Sequence, residues 1–216
     1  MTRFRDRSEA GRLLADRLLP YRDSAPIVLA LPRGGVPVGL EISRTLEAPL
    51  DIFIVRKLGA PEQAELGIGA VAQGGTRVLN ERILEYLQVS EEYLDRVTRR
   101  EQAEVERRLK LLRGGLPPPE MRDRTVILVD DGLATGVTAM AAVAAIREYE
   151  PRKIVLAVPV CAAQTAETMG REVDGFVSLE APASLQAIGL WYENFEQVSD
   201  DEVILLLKTA RQEQAL

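Results

Sequence analysis

Short apolar runs alternate with helical patterns along most of the chain. Five runs are rich in Val, Ile and Leu and lack the alternation of apolar and polar residues that marks a half-exposed strand. They cover residues 27–31, 52–55, 126–129, 154–158 and 176–179. Continuous apolar strands of this length are typical of parallel sheets that helices cover on both faces. The pattern therefore predicts an α/β fold with a mostly parallel five-stranded sheet.

The segments between these runs predict the helices. Three crossover helices are expected over 36–47, 137–149 and 162–170, and an amphipathic helix over 9–19 precedes the sheet. Residues 67–79 predict a hairpin around Gln73-Gly74-Gly75-Thr76. A helical insertion follows over about 80–119, with Asn80 and Ser90 as N-caps. A capping-box pattern at 199–202 predicts a last helix.

Composition narrows the chemistry. Hydrophobic residues make up 46% of the chain and charged residues 28%, as in a globular protein. The chain contains no His and a single cysteine, Cys161. It therefore cannot use Ser-His-Asp or Cys-His catalysis, and the metal cofactors that remain reasonable are those with oxygen ligands, such as magnesium. Cys161 is expected to be a buried packing residue.

The net charge of −6 argues against a dedicated nucleic-acid binder. The longest apolar run, 139–146, is far below the ~18 residues of a membrane span. Because the N-terminus also lacks a signal-peptide pattern, we expect a cytoplasmic protein.

The strongest motif is VILVDDGLATGVT, residues 126–138. An apolar strand ends in Asp130 and Asp131, and a loop of small residues then leads into a helix. Ligands of open parallel sheets bind beyond the carboxyl ends of the strands, where helix N-termini direct N–H groups at anions. The loop supplies close backbone approach and hydroxyl donors through Gly132, Thr135, Gly136 and Thr138. Carboxylates beside a phosphate must face hydroxyls or a cation, and a sugar phosphate meets both demands.

This segment resembles the phosphoribosyl-pyrophosphate (PRPP) signature of the type I phosphoribosyltransferase family. The resemblance implies that Asp130 and Asp131 bind the ribose 2′- and 3′-hydroxyls, and magnesium directly or through water. It further implies that the following loop holds the 5′-phosphate. The loop consists of Gly132, Leu133, Ala134, Thr135, Gly136, Val137 and Thr138. A surface turn after a buried strand is the alternative interpretation.

Two weaker motifs resemble the family's pyrophosphate contacts. Residues 31–36 contain Arg33, Gly34 and Gly35, whose guanidinium and backbone N–H groups would bind pyrophosphate. Arg56 and Lys57 close an apolar run and are similar to the pair that precedes the family's flexible catalytic loop, here 58–67. Lys57 is the better candidate for a pyrophosphate contact. Outside this context the two motifs are an ordinary glycine turn and a solvated strand end.

The family also places a variable hood over the active site. The resemblance divides the chain into a core over 1–180 and a hood with the C-terminal helix over 181–216. Trp191 and Tyr192 lie in the hood and would either stack on a flat heterocycle or pack the small lobe. Members that act on 6-oxopurines carry an acidic residue, which handles a proton of the base, where this chain has Ala134. Ala134 cannot take that role.

The resemblance implies transfer of phosphoribosyl from PRPP to a nitrogenous base, with magnesium required and pyrophosphate released. Asp130 and Asp131 would stabilise the cationic ribose, and Arg33 and Lys57 the leaving group. The alternative is a non-catalytic PRPP-sensing regulator, favoured by Ala134 and by the arginines of the insertion. A Rossmann oxidoreductase is excluded because no GxGxxG turn follows the first strand. The family resemblance is compatible with a homodimer, and the acceptor base is left open.

Overall fold

A computed structural model describes residues 3–214, apart from the side chains of Ala64 and Glu65. The strands are β1 (Ile27–Ala30), β2 (Leu50–Ile52), β3 (Val55–Ala60), β4 (Gln63–Ala72), β5 (Arg77–Leu79), β6 (Thr125–Val129), β7 (Lys153–Val160) and β8 (Gly175–Glu180). The α-helices are α1 (Arg7–Leu18), α2 (Gly35–Leu46), α3 (Glu81–Tyr86), α4 (Glu91–Arg113), α5 (Val137–Arg147), α6 (Ala163–Glu172) and α7 (Asp200–Gln214).

The main sheet has five parallel strands in the order β2-β1-β6-β7-β8. The strands β2, β1, β6 and β7 are buried on both faces, apart from Lys153 at the start of β7, whereas the edge strand β8 is only partly buried. Alternate residues of each strand point to opposite faces, so Val28 and Ile127 join a core cluster with α1, α2 and α7. Leu29 and Leu128 join a second cluster with α5 and α6 on the other face. The predicted α/β fold with a five-stranded parallel sheet is confirmed.

The apolar run at 52–55 is not a single strand. β2 ends at Ile52, and the chain then crosses to a second sheet in which β3 begins at Val55. Phe53 and Ile54 between them are buried, and the Phe53 N–H donates to Ala30 O at 3.0 Å. The prediction of one strand was wrong because the connection is as buried, and therefore as apolar, as the strands that it joins.

The second sheet is antiparallel, in the order β3-β4-β5. The β4–β5 pair confirms the hairpin predicted over 67–79. The segment 58–67, predicted as a flexible loop, instead belongs to the β3–β4 hairpin, whose register shifts on either side of Gly59. Leu58 and Ile68 are fully buried, and Tyr93 of α4 donates its hydroxyl to Gly59 O at 2.9 Å. These tertiary contacts convert the expected loop into strands.

The helical insertion forms as predicted and packs on the second sheet. The Asn80 and Ser90 side chains accept from Ile83 N and Tyr93 N, which caps α3 and α4. α4 buries Val97 and Val105 in the main core. No helix in the part of the chain that the structure describes is long and apolar enough to cross a membrane.

The last helix begins at the predicted capping box, where Glu202 N donates to Ser199 Oγ at 3.1 Å. Val203 and Leu207 of α7 are buried in the main core beside α2. Residues 181–199, before this helix, fold back towards the N-terminal segment. There Phe4 forms a β-bridge with Tyr192, so two segments that are distant in the sequence meet near the end of the sheet.

Candidate functional site

The loop between β6 and α5 presents polar groups at the carboxyl end of the main sheet. Leu133 anchors it, because its N–H donates to Val160 O at 2.9 Å. Thr135 and Thr138 are exposed, and no side chain caps the N-terminus of α5. Free N–H groups and the positive end of the helix dipole therefore lie beside two hydroxyls, an arrangement that suits a phosphate.

Gly136 allows this loop to lie close to α6. Its φ of 74° falls in the left-handed region, and a Cβ there would lie 2.8 Å from Thr165 Cγ2. Thr165 in turn donates its hydroxyl to Ala134 O at 2.6 Å. The glycine is thus required both for the turn into the helix and for the contact with the neighbouring helix.

A cleft of about 1210 Å³ opens over the loop. Its lining includes residues 134–138 of the loop, Lys57 of β3 and the segment 78–83. The aliphatic part of Lys57 packs near Gly67, where a Cβ would lie 3.3 Å from Lys57 Cδ. The structure therefore brings Lys57 and the phosphate-type loop to the same cavity.

Asp130 and Asp131 lie behind this cleft rather than in its lining. Asp131 is only 9% exposed, and its N–H donates to Asp130 Oδ1 at 2.9 Å. Burial raises the pKa of Asp130 well above its usual value, and the neighbouring charge of Asp131 adds to this effect. Burial also raises the pKa of Asp131, while the guanidinium of Arg7 opposes that rise. Two carboxyl groups are thus held close together in a poorly solvated position.

The glycines predicted to bind pyrophosphate lie directly against these acids. A Cβ on Gly34 would overlap Oδ2 of Asp131 and lie 2.5 Å from its Cγ. A Cβ on Gly35 would lie 2.6 Å from Val129 O. Only glycine therefore fits at either position, and the turn after β1 and the turn after β6 form one continuous surface.

The three candidate cations lie in different surroundings. Arg33 is partly exposed, and its Nη1 lies 3.7 Å from Asp200 Oδ1 at the start of α7. Arg56 donates to the buried carboxylate of Glu101 on α4, with Nε 2.9 Å from Oε2. Arg56 and Lys57 are consecutive on a strand and point to opposite sides. Lys57 consequently lines the cleft, whereas Arg56 fastens α4 to the second sheet.

Trp191 and Tyr192 are packing residues in this structure. They are 5% and 3% exposed and belong to a small cluster with Phe4. Tyr192 stacks on Phe195 at 4.9 Å between ring centroids, and its hydroxyl donates to Asp131 O at 2.6 Å. Burial raises the pKa of this phenol. Neither ring presents a free face to a heterocycle, so packing of the small lobe is the interpretation that this arrangement favours.

Arg7 is a site residue that the sequence did not reveal. Its Nε donates to Asp131 Oδ2 at 2.8 Å across 124 positions of the chain. The charged N-terminal segment carries no motif that would have indicated this contact. Cys161 matches its prediction, since it is fully buried and burial raises the pKa of its thiol to about 11.

Comparisons with known proteins agree with this arrangement. The model of the phosphoribosyl transferase domain family matches residues 7–184. Two Mycobacterium tuberculosis proteins, MT0597 and Rv0571c, whose names assign them provisionally to the phosphoribosyl transferases, are each 42% identical over 213 residues. These matches cover 99% of this chain but 48% of each relative, so the chain spans about half their length.

Solved structures show the same fold. The crystal structure of TT1426 from Thermus thermophilus is 40% identical, with a TM-score of 0.84, and the match covers 95% of this chain and 98% of that one. The structure of AQ2163 from Aquifex aeolicus is 12% identical with a TM-score of 0.51, over 85% of this chain and 78% of that one. At that identity the second likeness concerns the fold alone.

Proposed function

Since this chain belongs to the phosphoribosyl transferase domain family, we propose that it transfers a phosphoribosyl group from PRPP to a nitrogen of a heterocyclic acceptor. In this reaction the bond between ribose C1 and the pyrophosphate oxygen breaks, and a bond from C1 to the acceptor nitrogen forms. Pyrophosphate leaves with the bonding electron pair, and the acceptor nitrogen gives up its proton.

One observation carries the proposal: an exposed phosphate-type loop at an uncapped helix N-terminus directly follows two adjacent carboxyl groups, of which Asp131 is buried and Asp130 is partly buried. Thr135, Thr138 and the N–H groups of α5 would hold the 5′-phosphate. Asp130 and Asp131 would accept hydrogen bonds from the ribose hydroxyls and stabilise the positive charge that develops on the sugar. The carboxylates thus serve the sugar while the helix serves the phosphate.

Lys57 is the cation best placed for the leaving group. Its side chain lines the same cleft as the loop residues 134–138, while Arg56 lies outside that lining and binds Glu101 of α4. A positive charge in a partly desolvated cleft stabilises the pyrophosphate as its negative charge grows. Arg33, next to Gly34 and partly exposed, would add a planar donor to the same group once it leaves Asp200.

Asp130 and Asp131 fit the magnesium ion that the family implies. Carboxylate oxygens are the donors that magnesium prefers, and this ion is commonly held by one or two carboxylates together with substrate phosphates. Within the described residues no cluster of three or more acids, cysteines or histidines forms a separate metal cage. When bound with PRPP, magnesium would neutralise part of the charge on the departing pyrophosphate.

The activity is tested by incubating the protein with PRPP, magnesium and each of a panel of purine and pyrimidine bases. We expect pyrophosphate release that depends on one class of base. PRPP binding without release with any base would support the alternative of a PRPP-sensing regulator. Absence of PRPP binding by the wild-type protein would contradict both functions.

The site assignment is tested with the double change Asp130→Asn and Asp131→Asn. We expect a severe loss of PRPP affinity, because the amides remove the charge under the sugar. Lys57→Ala should instead slow turnover more than it weakens PRPP binding, since the negative charge on pyrophosphate that Lys57 would stabilise develops late in the reaction.

The exposed residues Asp16 and Lys208 offer matched controls as Asp16→Asn and Lys208→Ala. Unchanged PRPP affinity in the folded double variant would contradict the role of the acids.

A further inference from the structure

We propose that Arg7 is a positioning residue of the ribose site, which holds the carboxylate of Asp131 in the orientation that a sugar hydroxyl requires. This inference rests on the proposed function, because it concerns the same acid pair. Arg7 is the first residue of α1, far from every motif that the sequence singled out, and it reaches the site through tertiary contacts alone.

Three contacts from different parts of the fold fix the Arg7 guanidinium. Its Nε donates to Asp131 Oδ2 at 2.8 Å, and its Nη1 donates to Glu196 O at 2.8 Å. Its Cζ lies 3.9 Å from the centroid of the Phe195 ring, within the range of a cation–π contact. The side chain is only 11% exposed. Arg7 is therefore a fixed group that joins the hood to the acid pair.

Asp131 is constrained on its remaining sides as well. Gly34 packs against its carboxylate, and the Tyr192 hydroxyl donates to its backbone carbonyl at 2.6 Å. A carboxylate offers about four lone-pair sites on two oxygens, and Arg7 uses one of them on Oδ2. Among the residues that the structure describes, Arg7 and Gly34 both lie nearest to Oδ2, so Oδ1 is the oxygen offered as an acceptor with a defined direction. This is what recognition of a sugar hydroxyl needs.

The placement of Arg7 on a rigid element supports a positioning role. Asp6 caps α1, since its side chain accepts from Glu9 N at 2.7 Å, and α1 packs closely along α2. A partly buried ion pair gains little net stability, because desolvation offsets the attraction between its charges. Arg5, two positions earlier, has a side chain that is 62% exposed and pairs with the neighbouring Asp6. The two arginines are thus chemically alike but differ in their contact with the site.

Arg7 would make the same contacts if it blocked the site, but its removal would then change PRPP affinity in the opposite direction. If Arg7 occupied the place of the sugar, its removal would strengthen PRPP binding. If Arg7 orients Asp131, its removal weakens PRPP binding. The sign of the change in affinity therefore distinguishes the two roles.

The test measures PRPP binding with magnesium by calorimetry, and steady-state turnover, for Arg7→Gln, Arg7→Lys and the control Arg5→Gln. We expect Arg7→Gln to raise the Kd and the KM for PRPP by about 10-fold or more, with little change in the KM for the acceptor. Arg7→Lys should recover part of the loss, because lysine keeps the charge but lacks the planar fork. Arg5→Gln should match the wild type.

Trp191 provides a control for the hood. It is the only tryptophan in the chain and is buried in the hood cluster, so its fluorescence reports on hood packing. An effect of Arg7→Gln on PRPP with unchanged Trp191 emission supports positioning of Asp131. If that variant does not fold, Phe195→Leu keeps the ion pair but removes the ring over which Arg7 lies. We expect it to weaken PRPP binding about two- to five-fold.

Three results would overturn the proposal. Equal PRPP affinity of wild type and folded Arg7→Gln, or tighter binding by the variant, rejects the positioning role while leaving the proposed function intact. In the event of misfolding, unchanged PRPP affinity of Phe195→Leu rejects it. Failure of the wild type to bind PRPP rejects the proposed function, and this inference falls with it.

Discussion

Gly34 and Asp131 show how a single side-chain atom would alter the site. A Cβ at position 34 would overlap the carboxylate of Asp131, which Arg7 binds through Oδ2, while Tyr192 binds the backbone carbonyl of the same residue. We predict that Gly34→Ala displaces this carboxylate, lowers the free energy of unfolding by about 1 to 3 kcal/mol and abolishes most PRPP binding. Thermal unfolding and PRPP titration measure the two effects.

Gly170 supplies the matched control for this substitution. It lies inside α6, and the nearest atom to an added Cβ is Phe176 Cβ at 4.0 Å. Because alanine is favoured over glycine in a helix, Gly170→Ala should raise stability by about 0.5 to 1 kcal/mol and leave PRPP binding unchanged. Equal PRPP affinity of the two variants would show that the tight contact at Gly34 does not shape the site.

At the residue scale, the sequence was informative where the residues proposed for one site lie next to each other in the chain. Asp130, Asp131 and the loop up to Thr138 are adjacent in sequence, so the motif alone was enough to predict them as one group. Arg7 lies 124 positions from its partner, and an isolated arginine beside an N-cap is typical of a solvated helix start. Its role depends on tertiary contacts that local patterns do not encode.

At the scale of elements, Arg113 connects the inserted helix α4 to the sheets. Its side chain is 5% exposed and donates to Asp51 Oδ1 at 3.2 Å and to Ile52 O at 2.9 Å. We predict that Arg113→Ala lowers the free energy of unfolding by about 3 to 5 kcal/mol, because it leaves the Asp51 carboxylate buried without its partner. Chemical denaturation measures this loss.

Arg107 on the same helix tests whether burial is the reason. It pairs with Glu104 one turn away, and its side chain is 59% exposed. Water screens surface pairs of this kind, so Arg107→Ala should have only a small effect on the free energy of unfolding. Comparable losses in the two variants would indicate that the buried ion pair of Arg113 contributes no more to stability than the exposed pair of Arg107.

Element boundaries followed local signals where caps and turns define them. The caps at Asn80 and Ser90 and the capping box at Ser199 each mark a helix start in the structure. The run at 52–55 and the segment 58–67 were wrongly predicted, because their conformations depend on which sheet each residue joins. Packing against α4 and α5, rather than the local sequence, determines which sheet these residues join.

At the scale of the whole molecule, burial of the two acids opposes stability. Asp131 lies where the N-terminal segment, the glycine turn and the hood meet, and Asp130 adjoins it, so the site forms only when the chain is folded. Natural sites often keep such charges for function at the expense of the free energy of unfolding. Removing the charge of Asp130, while the Arg7–Asp131 pair is kept, should therefore stabilise the fold although it damages PRPP binding.

We predict that Asp130→Asn becomes more stable relative to wild type as the pH rises. Burial raises the pKa of Asp130 in the folded state above its ordinary value of 3.8, so the folded chain keeps a proton that the unfolded chain loses. Stability from the neutral carboxyl is complete below the unfolded pKa and is lost as the pH climbs towards the folded value, by up to about 1.4 kcal/mol per pH unit. Asparagine cannot ionise, keeps the acceptor for the Asp131 N–H and escapes this loss. Denaturation curves of both proteins between about pH 4 and pH 8 should diverge, whereas the exposed control Asp16→Asn should follow the wild type. A stability difference that stays constant over this range would mean that the Asp130 carboxyl titrates alike in the folded and unfolded chains.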